Sequence, residues 1–446
     1  MKKCIGKFIN IEYRMYPNKY QANYISGMLE ACRVVYNELV LAGLKIMDKN
    51  KGLSKEERGV FKLPNWGYIK EIYPWLCNYP TAPFDYERLN VNAAFSNYFD
   101  ILSGKKKPRK TYKELVDKDT GEKSVKGVVK KDYGKPAVKK RFMKRNLRLK
   151  FRDVRLIDDC HIKIPRLKKP IRFVPHSPFP DSFIRIVSVT LKKKPSNDFY
   201  IVFTIEVEDF PKLTGVDYDS NKVIALDLGI NKYFTYEYLD GEIGRVENPR
   251  NYKRFQDRIN FYNFKMSRQV QFSNRYHDTR IKKNNKEEQL ANCRKYFLNN
   301  LSTRLIRECD TIIAEKLDVQ DIVQETNKTF KGESKQARNN INTSTYDVGW
   351  YMFTQMLKYK SEWNGRNFYL IDTKNKTVQT CSNCGYVESS LKDVSIREWT
   401  CPNCGTHHDR CENACHNILK LYKEGKVLNY IKKDDEEDED IEVVEE

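Results

Sequence analysis

Cys381, Cys384, Cys401 and Cys404 form two Cys-x2-Cys pairs with sixteen residues between them, and each pair is followed by glycine. That spacing predicts two tight knuckles that aim four sulfurs at one tetrahedral ion, with Gly385 and Gly405 permitting the turns. Four thiolates leave no open coordination position, so the expected chemistry is structural zinc rather than zinc catalysis. A second chemistry belongs to carboxylates. Asp227 stands near the end of the apolar run Val223-Ile224-Ala225-Leu226, and Glu315 ends Thr311-Ile312-Ile313-Ala314. Buried strands that each deliver one acid suit two-metal phosphodiester hydrolysis. There, hard oxygen ligands hold two Mg2+ ions about 4 Å apart, one activating water and one steadying the leaving oxygen. The alternative for Glu315 is an ion pair with one of the many lysines.

These groups need elements to position them. The run 223–230 reads as a buried strand, followed by Gly229 and a second strand from Tyr233 to Tyr238. Basic helical sequence from about Tyr252 to Cys309 separates it from the Glu315 strand. At the other end of the chain, Phe8, Ile9, Ile11 and Tyr13 mark a short strand, which Pro17-Asn18 ends ahead of a helix. Ile25, Met28, Leu29, Cys32, Val35, Tyr36 and Leu39 recur at helical steps and predict a core-facing stripe. Residues 25 to about 103 read as mostly helical, with Trp66, Tyr73, Trp75 and Phe95 as core or docking aromatics. From 147 to 210 apolar residues alternate (Ile162, Ile164; Ile171, Phe173; Val187, Val189, Leu191; Tyr200, Val202), which predicts several short strands in a small barrel, closed by the N-terminal strand. The fold class expected is α+β with several domains, because 446 residues exceed what one core usually serves.

Charge names the partner class. The formal net charge is +21, and ten of the thirteen residues from Asp434 to Glu446 are acidic, which leaves about +31 on the chain before them. Nucleic acid is the expected counterpart, since each phosphate contact releases a condensed counterion. Lys105, Lys106, Lys107, Arg109 and Lys110, and then Lys139, Lys140 and Arg141, lie in one basic stretch. Tyr112, Tyr133, Phe142 and Phe151 fall between these charges and suit base stacking. A solvated loop is the alternative, and Asp119-Thr120-Gly121 is a turn signal within it. Arg14, Glu12, Asn10 and Lys7 interrupt any apolar leader after Met1, and no run reaches the length needed to span a bilayer. Twelve cysteines in so long a chain, four at metal spacing, fit a reducing compartment, cytoplasmic or nuclear in a eukaryote. The acidic tail reads as a disordered segment, with screening of the basic surface as the other reading.

Taken in order, Ala-Leu-Asp227-Leu-Gly-Ile, Ile-Ala-Glu315-Lys-Leu, Thr-Val-Gln-Thr-Cys381-Ser-Asn-Cys384-Gly-Tyr, Cys401-Pro-Asn-Cys404-Gly and His408-Asp409-Arg410-Cys411-Glu412-Asn413-Ala414-Cys415-His416-Asn417-Ile418 resemble the TnpB (OrfB) family. These are transposon-encoded RNA-guided nucleases related to Fanzor and to compact type V CRISPR effectors. Tyr13 to Pro17, Ala31 to Asn37 and the stretch Leu357 to Gly365 extend the resemblance from about residue 8 to 420. It implies a wedge-like β-barrel (1–24 and 146–220) interrupted by a helical recognition domain with the basic loop (25–145). An RNase H-like RuvC nuclease domain (221–377 and 405–425) would follow, with an inserted zinc ribbon (378–404) and the acidic tail (426–446). It also implies a transposon-end-derived guide RNA paired with target DNA, the protein reading shape and a short adjacent motif. Structural Zn2+ and catalytic Mg2+ would be the metals, with a monomer favoured.

One residue departs from the family. The motif Asp-Arg-Asp-x-Asn-Ala-Ala-x-Asn-Ile carries the third metal-binding acid just before x-Asn-Ala, and here that position is Cys411. A thiol is a poor Mg2+ ligand, and its thiolate prefers soft metals. Three readings follow. Cleavage is impaired and guided DNA binding remains; or Asp409 or Glu412 replaces the missing acid and Asp227, Glu315 and Asp409 form an active centre; or the substitution is incidental, or serves a soft-metal site of Cys411, Cys415, His407 and His416. A guide-free DNA-binding accessory of transposition is a further alternative, distinguished by DNA bound without co-purifying RNA.

Overall fold

Asn18 ends the first strand and begins the first helix. Its side chain accepts from Gln21 N while Gln21 Oε1 accepts from Asn18 N, both at 2.9 Å, a reciprocal cap that fixes where the chain changes period. The computed structural model describes residues 6–430 except 55, 56, 58, 107–110, 117–122, 129–133, 142–144, 219, 317–346, 394 and 395. The chain forms two compact units, one of residues up to Phe210 and one from Pro211 onward.

In the first unit, β1 (Lys7–Tyr16) leads to α1 (Lys19–Lys49) and α2 (Ala82–Leu102). A hairpin follows, β2 (Thr111–Val116) with β3 (Lys123–Val128), on either side of the expected Asp119-Thr120-Gly121 turn, which lies outside the described residues. Then come β4 (Asn146–Lys150), β5 (Arg155–Asp158), β6 (His161–Lys163), β7 (Ile171–Val174), β8 (Phe183–Lys193) and β9 (Phe199–Val207). The seven-stranded sheet runs β4-β8-β9-β1-β7-β6-β5, with every ladder antiparallel. It is a curled half-barrel. Among the described residues no ladder joins β4 to β5, and β1 lies inside the sheet between β9 and β7 instead of closing it. The cause is the length of β1, whose ten residues are enough to pair along β9 and then with β7.

Residues 25 to 103 are mostly helical, as expected, with a break between α1 and α2. Between α1 and α2 stand Pro64, Pro74 and Pro80, which cannot donate to a helical ladder. Trp66 is buried there and donates to Asp85 (2.9 Å), whereas Trp75 is 38% exposed. Gly43 has a specific role, since a Cβ there would meet the Phe95 ring at 2.4 Å. Its absence lets α1 and α2 close. The α1 stripe, Phe95 and the inner face of the sheet share one hydrophobic core.

The second unit is built on β10 (Val223–Leu228), β11 (Lys232–Tyr238), β12 (Ile243–Glu247), α3 (Asn251–Ser267), α4 (Asn274–Glu308), β13 (Thr311–Glu315), α5 (Trp350–Asn364), β14 (Asn367–Ile371), the hairpin β15 (Glu398–Thr400) with β16 (His407–Asp409), α6 (Arg410–Lys423) and β17 (Leu428–Asn429). Its sheet order is β12-β11-β10-β13-β14-β17. The β10–β13 and β13–β14 ladders are parallel and the others antiparallel. Parallel central strands must be covered on both faces, and they are. Ile224, Leu226, Ile312 and Ala314 pack with residues of α4 and α5, while Val223, Ala225 and Ile313 pack with Cys415, Ile418 and Leu419 of α6. Strand alternation therefore turns Asp227 and Glu315, which continue the second set, toward the α6 face. No helix among the described residues is long and apolar enough to cross a membrane.

Candidate functional site: a carboxylate pair under a cysteine-bearing helix, and a four-cysteine cluster

The register Leu226↔Ala314 between parallel β10 and β13 places Asp227 and Glu315 one rung further on, side by side. Asp227 is 8% exposed. Burial pushes both carboxyls upward, more than the Arg410 charge beside them pulls them down, and Asp227 raises Glu315 further by like charge. Two acids held together in a desolvated place destabilise the empty protein and favour a cation.

Cys411 occupies the first turn of α6, and its thiol donates a hydrogen bond to Asp227. Burial first, then the Asp227 charge, push the Cys411 thiol up to about 12. At neutral pH the position next to the acid pair therefore holds a neutral donor where a third acid would be an anionic acceptor. Asp409 is engaged elsewhere. It is the N-cap of α6, with Oδ1 accepting from Cys411 N (2.8 Å) and Glu412 N (3.1 Å) and Oδ2 from Arg245 Nη2 (2.9 Å). Arg245 also holds Glu412 at 2.8 Å. Among the described residues, no three ligand atoms drawn from Asp227, Glu315, Cys411, Asp409 and Glu412 converge within 4.8 Å of one another.

The side chains of the soft-metal alternative have other partners. Cys415 Sγ faces Thr235 O (3.4 Å), His416 Nδ1 lies 2.7 Å from Glu237, and His407 is in the β15–β16 hairpin beside Glu398. Cys415, one turn after Cys411, also reaches β11, and among the described residues no three ligand atoms of these four residues converge on one point.

The four ribbon cysteines do meet. All four sulfurs lie within 4.8 Å of one another, with Cys381–Cys404 at 3.7 Å and Cys384–Cys401 at 3.6 Å. Sulfurs at about 2.3 Å from one tetrahedral zinc stand about 3.8 Å apart, so the cluster fits such an ion. The knuckles are copies of each other: Gly385 N donates to Cys381 O (2.9 Å) and Gly405 N to Cys401 O (2.8 Å), at φ of +79° and +71°. His408 Nε2 sits 3.1 Å from Cys381 Sγ, its ring packed on Trp399; sequence spacing gave no signal for it.

Two asparagines fasten the cluster to α6. Asn413 Nδ2 donates to Thr380 O (2.8 Å) while Ser382 N donates back to Asn413 Oδ1 (2.9 Å). One turn later Asn417 Nδ2 donates to Thr377 O (2.8 Å) and Thr380 O (2.6 Å). The helix carrying Cys411 and the segment entering the first knuckle are thus one hydrogen-bonded body.

Of the basic residues singled out in the sequence, Lys107, Arg109 and Lys110 lie outside the described residues. Lys105, Lys140 and Arg141 are exposed; Lys106 pairs with Asp100 (3.3 Å), and Lys139 lies 3.4 Å over the Tyr36 ring.

Comparison with known proteins gives three family-model matches: a probable transposase of the OrfB type over residues 204–326, a Cas12f1-like TNB domain over 350–418, and a helix-turn-helix domain over 9–42. The last stretch is here β1 followed by the single helix α1. A Streptomyces pristinaespiralis protein named as an RNA-guided DNA endonuclease is 25% identical over 410 residues, 92% of this chain and 88% of its own. A TnpB-like protein of Acanthamoeba polyphaga mimivirus is 34% identical over 127 residues, 27% of this chain and 21% of its own. Among solved structures, Cas12f1 in complex with guide RNA and target DNA matches at a TM-score of 0.47 and 12% identity, over 90% of this chain and 83% of that one.

Proposed function

We propose that the chain is a member of the TnpB (OrfB) family, a reading supported by the family-model matches and the curated relatives, and that it is an RNA-guided DNA-targeting protein whose cleavage centre is impaired at Cys411. The supporting observation is the neutral thiol of Cys411 donating to Asp227 where the family places its third acid. In this reading the second unit is the RNase H-like RuvC domain with its zinc ribbon. The first unit combines the wedge-like sheet and the helical recognition segment.

Mg2+, when bound, would supply Lewis-acid polarisation of the scissile phosphate and a more acidic water. Asp227 and Glu315 would be its protein ligands, and their hard oxygens suit it. Cys411 adds no ligand, because a thiol pushed up to about 12 stays protonated. Asp409 does not substitute, since both its oxygens hold the α6 N-terminus and Arg245. Arg410 tempers the repulsion between the acids. Guide RNA and target DNA bind through the basic surface that gives the chain its +21 charge, including Lys105, Lys106, Lys139, Lys140 and Arg141.

The test is binding. Protein co-expressed with RNA from its own locus is purified, the RNA is sequenced, and affinity for matched and mismatched DNA is measured with and without nuclease treatment of the RNA. RNA-dependent, sequence-matched DNA binding is expected. DNA bound equally well without RNA would overturn the reading in favour of a guide-free accessory.

A further inference from the structure

The turn between β5 and β6, at the edge of the seven-stranded sheet, reads Asp158-Asp159-Cys160-His161. Both carboxylate oxygens of Asp158 lie 2.9 Å from His161 Nδ1, and Cys160 Sγ lies 3.3 Å from that same nitrogen. One ligand atom from each residue falls within 4.8 Å of the other two. The trio contains a thiol, an imidazole and an acid, yet it cannot work as a nucleophile relay. A relay uses one ring nitrogen toward the acid and the other toward the nucleophile, and here both partners face Nδ1. Nδ1–H and the Cys160 thiol instead both donate to the Asp158 carboxylate, which gathers an oxygen, a nitrogen and a sulfur around one point.

A cation between oxygen, nitrogen and sulfur satisfies all three. We propose that the β5–β6 turn is a second metal site, separate from the four-cysteine cluster, which binds a borderline-soft divalent cation of the Zn2+ class through Asp158, Cys160 and His161. On binding, the thiol proton passes to solvent and the imidazole proton moves to Nε2; no electrons are transferred. Zinc bonds of about 2.3 Å to sulfur and 2.0–2.1 Å to nitrogen and oxygen imply about 3.6 Å between S and N and about 3.3 Å between N and O. The observed 3.3 and 2.9 Å need only a few tenths of an ångström of spreading.

The backbone holds the donors in place. Cys160 N donates to Asp158 Oδ1 (2.9 Å), Phe173 N donates to Cys160 O (2.8 Å), and the β5–β6 ladder carries a register irregularity between Leu156 and Asp158 that opens the turn. Exposed Asp159 or a water completes the fourth position. Arg172, the cross-strand partner of His161, opposes the ion's charge. Soft and borderline metals that bond covalently to sulfur and nitrogen tolerate this better than Mg2+ or Ca2+.

The experiment is a metal count on the full-length protein. In an Asp227→Asn/Glu315→Gln background, which removes the carboxylate pair as a competing cation site, metal-stripped protein is titrated with Zn2+, and bound metal is quantified with no further change (called wild type for this count), with Cys160→Ser/His161→Ala and with Cys384→Ser/Cys404→Ser. Wild type should hold two ions and each double variant one. Co2+ bound to the Cys384→Ser/Cys404→Ser protein should show the weak charge-transfer band of a single thiolate. Since Cys160 and His161 are part-exposed at a turn, their variant should fold and retain the four-cysteine ion. A wild type that stops at one ion, or a Cys160→Ser/His161→Ala protein that still takes up two, overturns the proposal.

Discussion

Replacing Cys411 by aspartate would add a third acid beside two already strained ones, and the cost can be worked through. The substitution removes the thiol donor to Asp227, a hydrogen bond to a charged group worth about 1.5–3 kcal/mol. It also sets a carboxylate about 4 Å from another, which repels by about 4 kcal/mol at an effective dielectric of 20. The protein can limit the sum by protonating one acid, at about 1.4 kcal/mol per pH unit above that group's ordinary pKa. A net loss of about 3–5 kcal/mol at pH 7 follows, which for a unit of this size lowers Tm by about 10 °C.

The sign with pH is fixed. Asp227 and Glu315 already have carboxyls raised by burial. An acid raised on folding loses stability as pH climbs from its ordinary value through the raised one. The deficit of metal-free Cys411→Asp should therefore shrink at pH 5 and grow toward pH 8. Saturating Mg2+ should restore most of it in Cys411→Asp and much less in wild type. The assay is thermal unfolding of both proteins at pH 5 and 7 with EDTA or Mg2+. Equal metal-free stabilities at pH 7, or a deficit unmoved by pH and Mg2+, would refute the placement of residue 411 beside the acid pair.

Three further outcomes can be checked. Asn417→Ala removes the side-chain donor to Thr377 O and leaves Thr380 O with Asn413 alone, should cost about 1–3 kcal/mol, and should speed zinc release to a chromophoric chelator. Chelation of zinc should expose 378–404 to limited proteolysis while the six-stranded sheet persists by circular dichroism, because among the described residues the cluster's own core is small, Cys381, Leu391, Trp399 and Cys401 with Ile396 against them. Lys360, buried on α5, donates to Asn299, Ser302 and Thr303 of α4, and burial pulls its pKa down to about 8. A lysine lowered on folding leaves the unfolded chain with more bound protons between that value and its ordinary 10.5, so stability rises with pH across that window. Wild type should gain on Lys360→Gln from pH 8 to 10 in urea titrations.

What was legible in the sequence is what local pattern controls. The α1 stripe and the Asn18 boundary follow from helical period and capping. The β10 and β13 strands follow from unbroken apolar runs, and the ribbon follows from spacing that only a shared ion explains. Long-range pairing was less readable. Nothing local says that β1 inserts between β9 and β7, since its alternation would serve an edge as well as a centre. The prolines between 64 and 80 mark where the mostly helical stretch breaks between α1 and α2. Asn413 and Asn417 lay in a recognised motif, but their work, tying α6 to the ribbon's first knuckle, depends on carbonyls more than thirty residues upstream. The Asp158-Cys160-His161 turn was missed because a contiguous trio has no metal-type spacing, and only the backbone turn brings the three donors together.

Cleavage tests the central claim most directly. Wild type and Cys411→Asp, each purified with its guide RNA, are incubated with matched target DNA and Mg2+ under single-turnover conditions, alongside a binding measurement on the same preparations. The account predicts comparable RNA-dependent binding, with cutting by Cys411→Asp and little or none by wild type. Wild-type cutting at the rate of the aspartate variant would contradict it.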